Sequence, residues 1–145
     1  MKTADKKVSI KIGKQLAIFL RDEPGELAKV CASLSDKGIT IDALATESGG
    51  FFGHRQGETL VRMVVNDTQK ALEALDEIRE VAVETEVLMI ETQNQPGALA
   101  EISQCLSHAG INIESIYVSG SSRAKSVVIL RPSNVEKAKR VLSDL

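Results

Sequence analysis

Two stretches decide how the chain is read: Asp22-Glu23-Pro24-Gly25-Glu26-Leu27 and Asn94-Gln95-Pro96-Gly97-Ala98-Leu99. Asn94 stands 72 positions after Asp22, and at that offset the segment Asp22 to Leu44 lies over Asn94 to Ile116. Identities then recur at Pro24/Pro96, Gly25/Gly97, Leu27/Leu99, Ala28/Ala100, Leu34/Leu106, Ser35/Ser107, Gly38/Gly110, Ile39/Ile111 and Ile41/Ile113. Upstream, Leu16/Leu88 and Ile18/Ile90 keep the register. Downstream the offset falls to 67, pairing Val61/Val128, Lys70/Lys137, Ala71/Ala138 and Leu75/Leu142. The first copy therefore carries extra residues, and the Gly-rich stretch Gly49-Gly50-Phe51-Phe52-Gly53-His54 is where they belong. The chain is an internal duplication.

Each copy reads the same way. A short apolar strand, Leu16 to Leu20 or Val87 to Ile90, runs into the Pro-Gly turn. A helix follows, with apolar residues at i, i+3 and i+7: Leu27, Val30, Leu34 in one copy and Leu99, Ile102, Leu106 in the other. Gly38 and Gly110 stop these helices at the position where a positive φ costs little only for glycine. Alternating segments come next, Ile39-Thr40-Ile41-Asp42 and Ile111-Asn112-Ile113-Glu114. Third strands, Leu60 to Val65 and Ser126 to Leu130, precede second helices announced by Asn66-Asp67-Thr68 and Pro132-Ser133-Asn134. These helices should bury Ala71, Leu75 and Ile78, and Ala138, Val141 and Leu142. The order β-α-β-β-α plus one further strand is an α+β arrangement: two ferredoxin-like βαββαβ units, each an antiparallel sheet with helices on one face. The expected units are residues 7–79 and 80–145.

Strand counting leaves one choice open. The second copy ends inside or just after its second helix, so its fourth strand is missing, while the N-terminus offers an extra one, Val8-Ser9-Ile10-Lys11-Ile12. Gly13-Lys14 suits a two-residue hairpin that would lay this strand against Leu16–Leu20. The other solution sends the N-terminal strand across to complete the second unit. The Gly-X dipeptide favours the hairpin.

Composition narrows the function. The chain has 145 residues, a formal net charge of −2 and 43% hydrophobic residues, which is ordinary globular composition. With three Phe, one Tyr and no Trp it lacks a base-stacking platform, and the balanced charge offers nucleic acid nothing. Two His and two Cys are too few for an ordinary structural zinc site, and no cofactor is expected. Cys31 and Cys105, without CxxC spacing, read as small helix residues in a reducing compartment. No apolar run reaches the length of a membrane span and no h-region opens the chain, so a cytoplasmic, membrane-free protein is expected. Nucleophile-elbow, P-loop and dinucleotide motifs are missing, so an enzyme is not expected. His54 and His108 occupy unmatched positions, and Arg123, Lys125 and Arg131 read as a solvated hairpin.

A strand, then Asp/Asn-x-Pro-Gly-x-Leu, then a helix ending in Gly-Ile-x-Ile, resembles the ACT domain, a ligand-sensing module of amino-acid metabolism. The resemblance runs from about Lys14 to Leu145 and is closest to free-standing bacterial ACT pairs. It implies an amino-acid effector held where the Pro-Gly turn of one domain meets a strand–helix junction of another. The implied turn positions are Asp22, Gly25, Glu26 and Leu27 in the first copy and Asn94, Gln95, Gly97, Ala98 and Leu99 in the second. The implied junction positions are Thr40, Ile41, Asn112 and Ile113. Physical chemistry runs parallel: a helix N-terminus offers free backbone N–H groups and the positive end of the macrodipole to a carboxylate. Proline at the first helical position would remove one orphan N–H, and the following Gly would permit close approach. Asn94 can both donate and accept, which suits a zwitterion, whereas an ionised Asp22 only accepts and would repel a carboxylate. The second copy thus reads as the more competent sensor. The expected protein is a non-catalytic sensor, forming a homodimer, that regulates a partner enzyme or its own assembly. The alternative is a regulatory subunit with no ligand of its own.

Overall fold

A computed structural model describes residues 8–49, 57–120 and 125–145 of the chain. Phe51, Phe52, His54 and Arg55 of the inserted loop, and Arg123, lie outside the described residues. In chain order the elements are β1 (Val8–Arg21), α1 (Glu26–Asp36), β2 (Ile41–Ser48), β3 (Glu58–Val65) and α2 (Thr68–Glu77). They continue as β4 (Ala82–Gln93), α3 (Ala98–His108), β5 (Ile113–Gly120), β6 (Lys125–Pro132) and α4 (Val135–Leu142).

The elements form two compact units, Lys14–Thr85 and the described residues up to Gly13 together with Glu86–Leu145. In the first, β3 pairs antiparallel with both β2 and β1, and the Ala82–Thr85 part of β4 is the fourth strand, beside β1. In the second, β6 pairs antiparallel with both β5 and β4, and Val8–Gly13 is the fourth strand, beside β4. Both are ferredoxin-like.

The hairpin favoured by Gly13-Lys14 does not form: β1 is one uninterrupted strand through both residues. The division accordingly falls after Gly13 and after Thr85, rather than at 79/80. Packing explains this. The first unit's sheet edge is already filled by Ala82–Thr85, so a folded-back N-terminal strand would have no sheet to join. Running straight on, its apolar face (Val8, Ile10 and Ile12) closes the second unit's core of Leu88, Ile90, Ile102, Leu106, Val128, Leu130 and Leu142. Gly13 serves close approach there: a Cβ would come within 2.5 Å of the Met89 sulfur.

The two copies match at the level of register. Leu20 faces Thr59 and Ile18 faces Val61 across β1 and β3; Thr92 faces Ser126 and Ile90 faces Val128 across β4 and β6. Each outer strand carries its irregularity at the same place, between Ile41 and Ala43 and between Ile113 and Ser115. The first unit's core contains Leu16, Ile18, Leu20, Val30, Leu34, Val61, Met63, Ala71 and Leu75. Helix ends follow the sequence signals. Asp67 accepts from the Lys70 N–H at 3.1 Å, and Asn134 accepts from the Lys137 N–H at 3.0 Å. At the C-terminal ends, Ile39 N–H donates to Leu34 O at 3.0 Å and Ile111 N–H to Leu106 O at 2.9 Å. With the Gly38 to Ser35 and Gly110 to Ser107 bonds these are Schellman motifs, and they aim the chain back into the sheet.

Candidate functional site

The turn after the first strand of each unit sets up the site. Gly97 holds φ at 92° as the N-cap of α3, and Gly25 holds 90° as the N-cap of α1. Pro96 and Pro24 therefore sit one residue before the cap, in the turn, and not at the first helical position as the sequence reading has it. The reason is conformational: only glycine reaches this left-handed φ without penalty, so the helix begins immediately after it. Ala98 N–H donates to Gln95 O at 3.3 Å, a long bond that closes the turn, and Glu101 N–H donates to Gly97 O at 2.9 Å. The other amides of the first turn of a helix have no intrahelical acceptor.

In the second unit this turn roofs a cavity of about 290 Å³. Asn94, Gln95, Gly97, Ala98 and Leu99, all anticipated from sequence, line it together with Gln93, Pro96 and Ala100. Its floor is the helix-side face of the sheet: Thr92 on β4, Val118 on β5, and Ser126 and Val128 on β6. Sequence reasoning missed these four. Their signal was available in the repeat register, where the core-facing Leu20 of the first copy becomes Thr92 in the second.

The first unit's turn is built differently. The Asp22 carboxylate accepts from Thr59 Oγ1 at 3.1 Å and from Ser48 Oγ at 3.3 Å, and its backbone N–H donates to Gly57 O at 2.8 Å. Asp22 thus ties β1 to β2 and β3. Glu26, the first residue of α1, pairs with Lys29 at 3.6 Å, and Leu27 follows it in the helix. The junction residues lie at the opposite ends of α1 and α3 and are held by their own units. Thr40 N–H donates to Asn66 Oδ1 at 2.9 Å, and Asn112 N–H donates to Ser133 Oγ at 3.0 Å. Ile41 and Ile113 pack against the two cores. None of the four lines the second unit's cavity. Cys31 and Cys105 are free thiols, and Cys105 contacts Val141 O at 3.4 Å. Among the described residues, no group of His, Cys, Asp or Glu is placed to hold a metal, and no helix is long and apolar enough to cross a membrane.

The fold has counterparts among known proteins. Residues 87–145 match the ACT domain family. A solved structure of a Bacteroides thetaiotaomicron protein is 32% identical, covers 93% of this chain and 89% of its own, and superposes with a TM-score of 0.83. The regulatory subunit of aspartate kinase from Thermus flavus is 25% identical over 98% of both chains, with a TM-score of 0.66. The aspartokinase of Corynebacterium glutamicum is 26% identical over 90% of this chain, which spans only 33% of that enzyme's length. Paired ferredoxin-like units with a Pro-Gly turn before the first helix of each define the class. The second unit, which contains the matched residues 87–145, belongs to the ACT-domain family.

Proposed function

We propose that the protein is an amino-acid sensor whose second unit binds one small amino acid beneath the Asn94–Leu99 turn and relays occupancy to a partner. One observation carries the reading: the turn, the helix N-terminus and the sheet face converge on one cavity in that unit. Its roof suits a zwitterion. The α-carboxylate takes the helix-end amides and the macrodipole, and Asn94 serves either charged end. The corresponding turn of the first unit is acidic at Asp22, Glu23 and Glu26, and its Asp22 is spent on holding strands together. We assign it a structural role.

Signal output follows from position. Val118, in the cavity floor, lies on β5, and Ile116 and Val118 are exposed there at 42% and 47%. A ligand that favours one state of a partner bound near this strand shifts the assembly by its differential affinity. The likeness to a regulatory subunit of aspartate kinase makes an enzyme of that type the first partner to test, with a second copy of the chain as the other.

Calorimetric and thermal-shift screening with the proteinogenic amino acids tests the reading. A ligand bound only by the native state adds about 2.7 kcal/mol of stability at 100 times its dissociation constant. One amino acid or a few related ones should raise the melting temperature, and Asn94→Ala should abolish that response. A flat response across the whole set would favour a regulatory subunit without a ligand. Unchanged affinity in Asn94→Ala would move the site elsewhere.

A further inference from the structure

Among the described residues, the three most exposed large apolar side chains all belong to the first unit: Val81 at 82%, Val83 at 56% and Phe19 at 54%. Ala82 packs on that unit's core, so strand alternation turns Val83 to the sheet face away from the helices. Phe19 stands between the core residues Ile18 and Leu20 on the neighbouring strand β1 and shares that outer face. Val83 also lies on an open edge. The neighbours of β4 in the sheet are β1 and β6, and β6 pairs with β4 only from Leu88 to Gln93. Among the described residues, Ala82–Thr85 therefore has one side without a strand partner. Such an edge is a template for another strand, and proteins commonly guard it with lysine or proline. Ala82–Thr85 carries neither, and its one charge, Glu84, points to the helix side and is paired with Lys14 at 3.7 Å.

The second unit supplies the control. Glu91 stands where Phe19 does, and it pairs with Lys125 at 3.1 Å. The edge strand there, Val8–Gly13, turns Val8, Ile10 and Ile12 to the core and leaves Ser9 and Lys11 exposed. One copy of the fold thus forms with a polar outer face and a guarded edge, so Phe19, Val81 and Val83 are not required by the architecture. Arg79 adds a second signal. α1 and α3 end on Gly38 and Gly110, both at φ 71°, whereas α2 ends on Arg79 at φ 61°, a conformation costly for a residue with a Cβ. Its exposed guanidinium has no ion-pair partner among the described residues.

We propose that the Val81–Thr85 edge pairs with the same edge of a second copy of the chain, antiparallel and two-fold symmetric about Val83. The charges select both the occupant and the register. Centred on Val83, Glu84 faces Ala82 and Val81 faces Thr85, so no carboxylate opposes another within the pairing. Moving the centre one residue either way opposes Glu84 to Glu80 or to itself, which is unfavourable. Beyond each end Glu80 meets Glu86, and the unpaired Arg79 beside them supplies the counter-charge. The two Val83 side chains then meet on the outer face, flanked by Phe19 of each copy, and every contact is made twice. The edge lies in the first unit and the sensor cavity in the second, so self-association and ligand binding are tested separately.

So short a pairing makes a small interface, so association should be weak and concentration-dependent. Sedimentation equilibrium of the full chain, taken up to about 1 mM so that even a weak contact is populated, should show a reversible monomer–dimer equilibrium. Val83→Lys sets two ammonium groups face to face and should weaken the dimer about tenfold or more, with the circular dichroism spectrum unchanged because the side chain is exposed. Arg79→Gly relieves the backbone and should melt no lower than the parent in dilute solution, yet dimerise more weakly. Under mild oxidation Val83→Cys should form a disulfide-linked dimer, since directly opposed residues lie about 4.5–5.5 Å apart between Cα atoms, within disulfide reach. Val81→Cys, though more exposed, stands roughly 14 Å from its own copy in this register and should not. The parent, whose Cys31 and Cys105 lie on helices, is the blank. A parent that stays monomeric throughout overturns the proposal, as does a dimer that Val83→Lys leaves intact. Crosslinking of Val81→Cys as readily as Val83→Cys, or an Arg79→Gly dimer as tight as the parent's, overturns it as well.

Discussion

Gly97 holds a backbone angle that other residues avoid, and space around it is open: a Cβ there would meet nothing within 4 Å. Substitution is therefore a clean test of conformation. Gly97→Ala should cost about 1–2 kcal/mol of stability, the usual penalty for an L-residue in the left-handed region. Urea denaturation reads this directly, and a loss well below that range would show the turn relaxing to a different cap. At this scale the sequence was a partial guide. Asn94, Gln95, Gly97, Ala98 and Leu99 were legible because a repeated Pro-Gly before an amphipathic helix marks a turn at a helix N-terminus. Placing proline at the first helical position starts each helix two residues early, because proline's preference for the first helical turn competes with glycine's left-handed φ, and the latter prevails. Thr92 and Ser126 escaped notice because a lone hydroxyl in a strand is unremarkable; only the paired register shows each standing in a core row.

Among the elements, the second helices were the most legible, because a side-chain cap is a local contract between a few neighbouring residues. Asn134 and Asp67 fulfil it with bonds of 3.0 and 3.1 Å. Asn134→Ala should destabilise the protein by about 1 kcal/mol, and Asn134→Asp should restore most of it. Parallel denaturation curves of the three proteins check this; an alanine variant as stable as the parent would mean that solvent caps α4 equally well. Asn66 was read as part of the same start signal but does a different task, bridging to Thr40 through both its side chain and backbone. The strands were less legible at their ends. The alternation of Val8, Ile10 and Ile12 shows which face is buried but not which core it meets. Likewise, nothing local announces that Ala82–Thr85 and Glu86–Gln93 form one strand serving two units.

That ambiguity belongs to the whole molecule, because the partner of a sheet edge is chosen by long-range packing and not by the residues at the turn. A hairpin at Gly13-Lys14 would satisfy local turn chemistry and leave the second unit with three strands and an open core. With β1 continuous, Val8–Gly13 is the second unit's fourth strand and Ala82–Thr85 of β4 the first's, so both units have four. A fragment test separates the two arrangements. Residues 14–85 contain all four strands of the first unit, with the core Leu16, Ile18, Leu34, Val61, Met63 and Leu75 intact. This fragment should unfold cooperatively, though with modest stability, since a chain of this size buries only about 60% of its unfolded surface. Residues 7–79, the division that repeat arithmetic suggests, lack the fourth strand and carry Val8–Ile12 with no second unit to receive it. That fragment should be less stable or self-associate through its open edge. Circular dichroism melting and sedimentation of the two fragments decide the matter: if 7–79 proves the better-folded piece, the N-terminal strand belongs to the first unit after all. A full chain with Ile10→Asp sharpens the test, because the buried carboxylate should weaken hydrogen-exchange protection in β4 from Glu86 onward and in β6, while β3 keeps its own. Loss of protection in β3 alone would place the strand on the other core.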